Sequence, residues 1–200
     1  MALGRRGRQA LTWAVVVVVG VLLGTGSTWP VLSGAVRGSE ERVGAWSIDL
    51  ERGGADAGSY QRAVTAVQVL LALAKEEAAY FVATEDDDGD VLRRDCAYRV
   101  AGGDLPATWW SLTLYDGAYL PDNDDEHLSV EATNVELAAD GEWTAHLGPS
   151  PDARGDWIST NGADRPNLVL RLYVPEDSVL ADPTTVPVPR ITRLTCGDGR

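Results

Sequence analysis

The stretch Ala107-Thr-Trp-Trp-Ser-Leu-Thr-Leu-Tyr115 decides the fold of this 200-residue chain. Trp110, Leu112 and Leu114 alternate with Ser111, Thr113 and Tyr115, the period-2 pattern of a half-buried β-strand. Neighbouring strand residues point to opposite faces. Trp109 and Trp110 therefore cannot share one core, and one of them must meet a second packing layer, a groove or water. Outward along the chain, Asn167–Val174 is the strongest strand after this one, with Leu168, Leu170, Leu172 and Val174 opposite Arg171 and Tyr173. Further strands are expected at Ala79–Thr84, Cys96–Val100, Leu128–Ala132, Val135–Ala138, Glu142–Leu147, Asp156–Ile158 and Arg190–Thr195, and an edge strand within Trp46–Leu50. A helical stripe of Tyr60, Ala63, Val64, Val67, Leu70, Leu71 and Ala74 predicts one leading helix over 60–76, with Ser59 placed to cap it. Short strands, turns rich in Gly, Pro and Asp, and no βαβ alternation predict a mainly β fold. Its form should be an antiparallel, jelly-roll-like β-sandwich.

The N-terminus reads differently. Arg5, Arg6 and Arg8 precede an apolar run from Ala10 to Leu23, with weaker apolar character through Leu32. At 1.5 Å per residue, Ala10 to Val31 could cross a hydrocarbon core of roughly 30 Å. The arginines should stay cytoplasmic, which makes this a single-pass signal anchor with the rest outside the cytoplasm, periplasmic or at the cell surface. A cleaved signal peptide is the competing reading. Gly24-Thr-Gly26 and Ser33-Gly-Ala35 place small residues at alternate positions, though neither makes a good cleavage site. The organisation expected is an anchor or signal segment at 1–32, a tether at 33–58 and an exported domain at 59–200.

All 30 acidic residues lie beyond residue 39, and the 17 basic residues less the three of the cluster leave 14 for the part after residue 32, a formal charge of −16. Such a surface repels phosphate backbones and excludes nucleic acid as a partner. Cys96 and Cys196 are the only cysteines. In an exported domain two cysteines usually pair, although two buried free thiols would also fit. The chain-entropy figure for so long a loop is roughly 4.7 kcal/mol, an upper bound.

Taken in order, Glu77-Ala-Ala-Tyr80-Phe81, Asp88-Gly89, Cys96-Ala-Tyr98, Trp109 to Asp116, Asn123, Trp157 and Arg171-Leu-Tyr173-Val-Pro175 resemble a known pattern. It is that of the bacterial family called domain of unknown function 1214. The resemblance covers roughly residues 59–196 and looks like the short, membrane-tethered, single-domain type. It implies a β-sandwich in the bacterial envelope. In larger relatives this domain follows a companion domain of unknown function (numbered 1254), which is not expected ahead of the sandwich here. One landmark of the family usually reads Asn-Trp-Leu-Pro, where this chain has Asp156-Trp157-Ile158-Ser159. If that loop contributes to a site, the site has changed.

Tests for chemistry narrow the function. Glu85 to Asp90 crowds five acids around Gly89, but an EF-hand would need a Glu six residues beyond the glycine, where Asp95 stands. The run reads as a solvated turn, as does Asp122 to Glu126. His127 and His146 lack zinc-ligand spacing. No G-x-S-x-G elbow and no phosphate-binding glycine loop occurs. We expect no catalytic residue, no cofactor and no metal. The candidate ligand-binding residues are Trp109, Tyr115, Asn123, Trp157, Arg171 and Tyr173. A mid-strand arginine beside tyrosines could hold a carboxylate or a sugar through its planar fork and stacking. Alternatively it is structural and pairs with an acid such as Asp116 or one of the 122–126 cluster. The function expected is a non-catalytic binding or interaction module, taking a carbohydrate, a small acid or an envelope protein. The alternative is an envelope enzyme, or a degenerate one, using Arg171 with nearby carboxylates, with or without a metal's help.

Overall fold

In the computed structural model the chain is described over residues 5–32, 40–50, 73–151 and 156–197, with side chains of the N-terminal helix at Gln9 and 11–27. It divides into two units, Met1–Gly38 and Ser39–Arg200. The first contains α1 (Arg5–Leu32). Its residues Leu11, Trp13, Val15 to Val19 and Val21 to Leu23 are all exposed. Among the described residues no helix is long and apolar enough to cross a membrane.

The second unit is mainly β. Its strands are β1 (Glu41–Val43), β2 (Trp46–Ile48), β3 (Ala78–Ala83), β4 (Cys96–Gly102), β5 (Ala107–Asp116), β6 (Ser129–Glu131), β7 (Trp143–Gly148), β8 (Asp156–Ser159), β9 (Pro166–Pro175) and β10 (Arg190–Cys196), with a short α2 (Asp177–Ala181) after β9. One sheet runs β1-β2-β3-β9-β5-β6 and the other β10-β4-β7-β8. The double-Trp strand and the arginine strand are neighbours inside the larger sheet, paired from Ala107↔Pro175 to Asp116↔Pro166. What is shared with the expected jelly roll is two sheets around one core; the strand order is the protein's own.

Alternation places the core. Phe81, Leu112, Leu114, Leu168, Leu170 and Leu172 from the larger sheet meet Tyr98, Val100, Ala145, Leu147, Ile158 and Ile191 from the smaller, all at 1% exposure or less. Trp110 stacks on Trp143 of β7, ring centroids 4.6 Å apart at 25°, so one indole from each sheet closes the sandwich. The Trp143 indole N–H donates to Gly103 O at 3.0 Å. A Cβ at Gly102 would stand 2.9 Å from that ring, so only glycine fits. Buried indoles need such partners for their N–H groups.

Several expectations need correction. The sandwich is not wholly antiparallel, because β8 runs parallel to β7. Trp46–Ile48 is not an edge: Gly44, at φ 58°, turns the chain so that β1, within the expected tether, pairs outside it. Val135–Ala138 is a loop rather than a strand, with only Leu137 bridging to Trp143. The helix expected at 60–76 falls mostly outside the described residues; its last part, 73–76, is not helical. His146, on β7, is buried at 9% exposure.

Cys96 and Cys196 are bonded, as direct partners across β4 and β10. Their Cα atoms stand 3.9 Å apart, closer than the usual 4.4–6.8 Å. The acidic turn before β4 holds β10 as well. Buried Asp86 accepts from the backbone N–H groups of Asp88 and Asp90 and pairs with Arg193, while Asp87 accepts from Ile191 N and pairs with Arg190. This turn, expected to be solvated, is a clamp.

Candidate functional site

With Leu168, Leu170 and Leu172 turned inward, β9 must present Asn167, Val169, Arg171 and Tyr173 on the face away from the core. By the same parity β5 presents Trp109, Ser111, Thr113 and Tyr115 there, and β3 presents Ala78, Tyr80 and Val82. The register lines them up in rows: Ala78–Tyr173–Trp109, then Tyr80–Arg171–Ser111, then Val82–Val169–Thr113, then Asn167–Tyr115. Four of the six expected residues thus converge on one outer face. Trp109 and Tyr173 pack ring on ring, 5.1 Å apart.

Arg171, half-buried, stands at the centre. Its Nη2 donates to the Tyr115 hydroxyl at 2.5 Å and its Nη1 to Thr113 Oγ1 at 3.5 Å. The guanidinium carbon lies 5.2 Å from the Tyr115 ring centre and 5.8 Å from that of Tyr80, both within cation–π range. No carboxylate among the described residues pairs with it. That corrects the expected partnership with Asp116 or the 122–126 run. Asp116 falls on the core-side parity of β5 and accepts from Arg165 N at 2.7 Å, while Asp125 is engaged elsewhere. Burial pushes the Tyr80 phenol above its ordinary range, opposed by the Leu73 N–H and by the Arg171 charge, so Tyr80 stays a neutral hydroxyl. Tyr80 was not among the expected site residues. Its signal lies in the alternation of Ala79, Tyr80 and Phe81, where Phe81 takes the core.

Asn123 and Trp157 belong to a second, separate cluster. Asn123 lies in the connection from β5 to β6, and its side chain donates to Asn161 O at 2.6 Å and accepts from Asp125 N at 3.0 Å. Asp125 Oδ2 accepts from the Ser159 hydroxyl at 2.5 Å and from Asn161 Nδ2 at 2.8 Å. Those two hydrogen bonds, helped by the nearby His127 charge and opposed by burial, hold the Asp125 carboxyl below its ordinary range. Trp157 donates to Gly148 O at 3.0 Å, and His127 packs against its ring at 5.3 Å. Ser159, at the place where the family usually has proline, is fully buried, so its hydroxyl serves Asp125 and cannot reach a substrate. Among the described residues no group of three His, Cys, Asp or Glu could hold a metal ion.

The site-bearing unit is a two-sheet β domain with a polar aromatic outer face. The family described as "Protein of unknown function (DUF1214)" matches residues 77–177, half of the chain, and the protein belongs to that family. Among solved structures, the VPA0106 protein of Vibrio parahaemolyticus is similar over 70% of this chain and 37% of its own, with a TM-score of 0.55 at 19% identity. An uncharacterised protein from Burkholderia cenocepacia is similar over 62% of this chain and 31% of its own, with a TM-score of 0.40 at 20% identity. The Vibrio likeness is one of fold, and the chain spans little more than a third of that protein. No curated protein matches the chain.

Proposed function

We propose that this protein is a membrane-tethered binding module of the cell envelope whose outer sheet face takes an organic carboxylate. The observation that carries the reading is Arg171. It is a permanent cation, half-buried on the sheet, with tyrosine hydroxyl and ring contacts but no carboxylate among the described residues. A guanidinium fork matches a carboxylate with two parallel bonds, and among the described residues only one strong acceptor, the Tyr115 hydroxyl, stands there. The Trp109–Tyr173 pair, one row away, offers an apolar surface for the body of the ligand.

The tether reading rests on α1, whose apolar side chains between Leu11 and Leu23 are all exposed, as suits a helix that lies in lipid. The disulfide supports a compartment outside the cytoplasm. Two measurements test the proposal. Millimolar propionate should raise the melting temperature of the full-length chain and leave Arg171→Gln unmoved; equal responses would refute the role of Arg171. Reporters fused after residue 40 should be active only outside the cytoplasm, and activity only of a cytoplasmic reporter would refute the topology.

A further inference from the structure

Asn167 lies on the same outer face, as the cross-strand partner of Tyr115. It is only 7% exposed, and its Oδ1 has no hydrogen-bond partner among the described residues. A buried amide oxygen left without a donor is costly, and few folds keep one without reason. Tyr115 starts in the Asn167 row, yet its hydroxyl reaches Arg171 two rows away. The ring must therefore pass over the intervening Val169–Thr113 row. That agrees with Val169, which faces away from the core and is nonetheless only 4% exposed. Tyr115 closes the ground between an arginine that can only donate and an amide oxygen that can only accept.

Resting on the carboxylate reading above, we infer that the ligand is a hydroxy acid of the sugar-acid class. Its carboxylate displaces the Tyr115 hydroxyl from Arg171, and a hydroxyl of the ligand donates to Asn167 Oδ1. A neutral hydroxyl fits Asn167 better than an ammonium, which would need a buried counter-charge there. Turning Tyr115 to another staggered rotamer frees Arg171 Nη2 and opens the way to Asn167 in one movement.

The test is calorimetric titration of the full-length chain with D-glucuronate, propionate and D-glucose. Glucuronate should bind about tenfold more tightly than propionate, the worth of one well-made hydrogen bond, and glucose should not bind. Asn167→Leu, close to asparagine in size, should bring glucuronate down to the propionate level and leave propionate unchanged. Tyr115→Phe, which removes the competing hydroxyl, should tighten both carboxylates. Equal binding of glucuronate and propionate by the natural chain would overturn the hydroxy-acid inference while leaving the carboxylate reading intact. So would glucose binding as tightly as glucuronate. No binding of either carboxylate would overturn both. The ranking of the three probes on the natural chain decides the matter even if Asn167→Leu fails to fold.

Discussion

Two polar clusters share this sandwich, and they differ in how completely they are satisfied. Around Asp125 the hydrogen bonds named above tie Asn123, Asp125, Ser159 and Asn161 into one lattice, with Trp157 anchored beside it. On the outer face of the larger sheet, Arg171 has a phenol where a carboxylate would be the natural partner, and Asn167 Oδ1 has no partner among the described residues. A saturated polar network rigidifies and specifies a fold, whereas unspent hydrogen-bonding capacity at a half-buried cation is an opening for a ligand. Satisfaction, more than the mere presence of polar and aromatic residues, separates the cluster that holds loops together from the cluster that can do something.

Both clusters stand on the core, so the largest effect should come from Trp110→Ala. Removing an indole that stacks on Trp143 should cost about 3–5 kcal/mol by denaturant unfolding, as large-to-small core changes do. A loss below about 1 kcal/mol would undo the register on which both clusters depend. Next comes the saturated cluster. Ser159→Ala leaves Asp125 without its shortest donor and should lower the denaturation midpoint by a smaller but measurable amount. An unchanged stability would mean that this lattice is ornamental, and the comparison would collapse.

The same carboxylate sets an acid dependence. Asp125 is held below its ordinary range in the folded state, so its contribution is present above the unfolded value of about 3.9 and is lost as pH falls through the lower folded value. Asp125→Asn should flatten the acid limb of stability against pH in that window; a superimposable limb would assign the dependence to other acids. The smallest effect should be that of Arg171→Gln on the unliganded fold, within about 1 kcal/mol, since no ion pair is broken. A loss of about 3 kcal/mol or more, the cost of breaking a buried ion pair, would move Arg171 into the structural class and erase the distinction drawn here.

Much of the fold was legible because strand alternation is local. Trp110, Leu112, Leu170 and Leu172 could be assigned to the core from period-2 patterning alone, and the register confirms the assignment. The cysteine pair was legible from its count and an expected export, and the family from its ordered landmarks. Long-range matters were not. Nothing in the pattern of Asp156–Ser159 says that its strand runs parallel to its neighbour, nor does Glu41–Val43 announce itself as a strand until Gly44 turns it onto Trp46. The candidate site divides the same way. Which face carries Trp109, Tyr115, Arg171 and Tyr173 follows from residue parity within each strand. That Tyr80 and Asn167 join them, that Asp116 does not, and that Asn123 and Trp157 belong to another cluster follow from pairing and loop closure. Parity is a property of one strand and can be read from it, while partnership is a property of the sheet and exists only once distant strands have met.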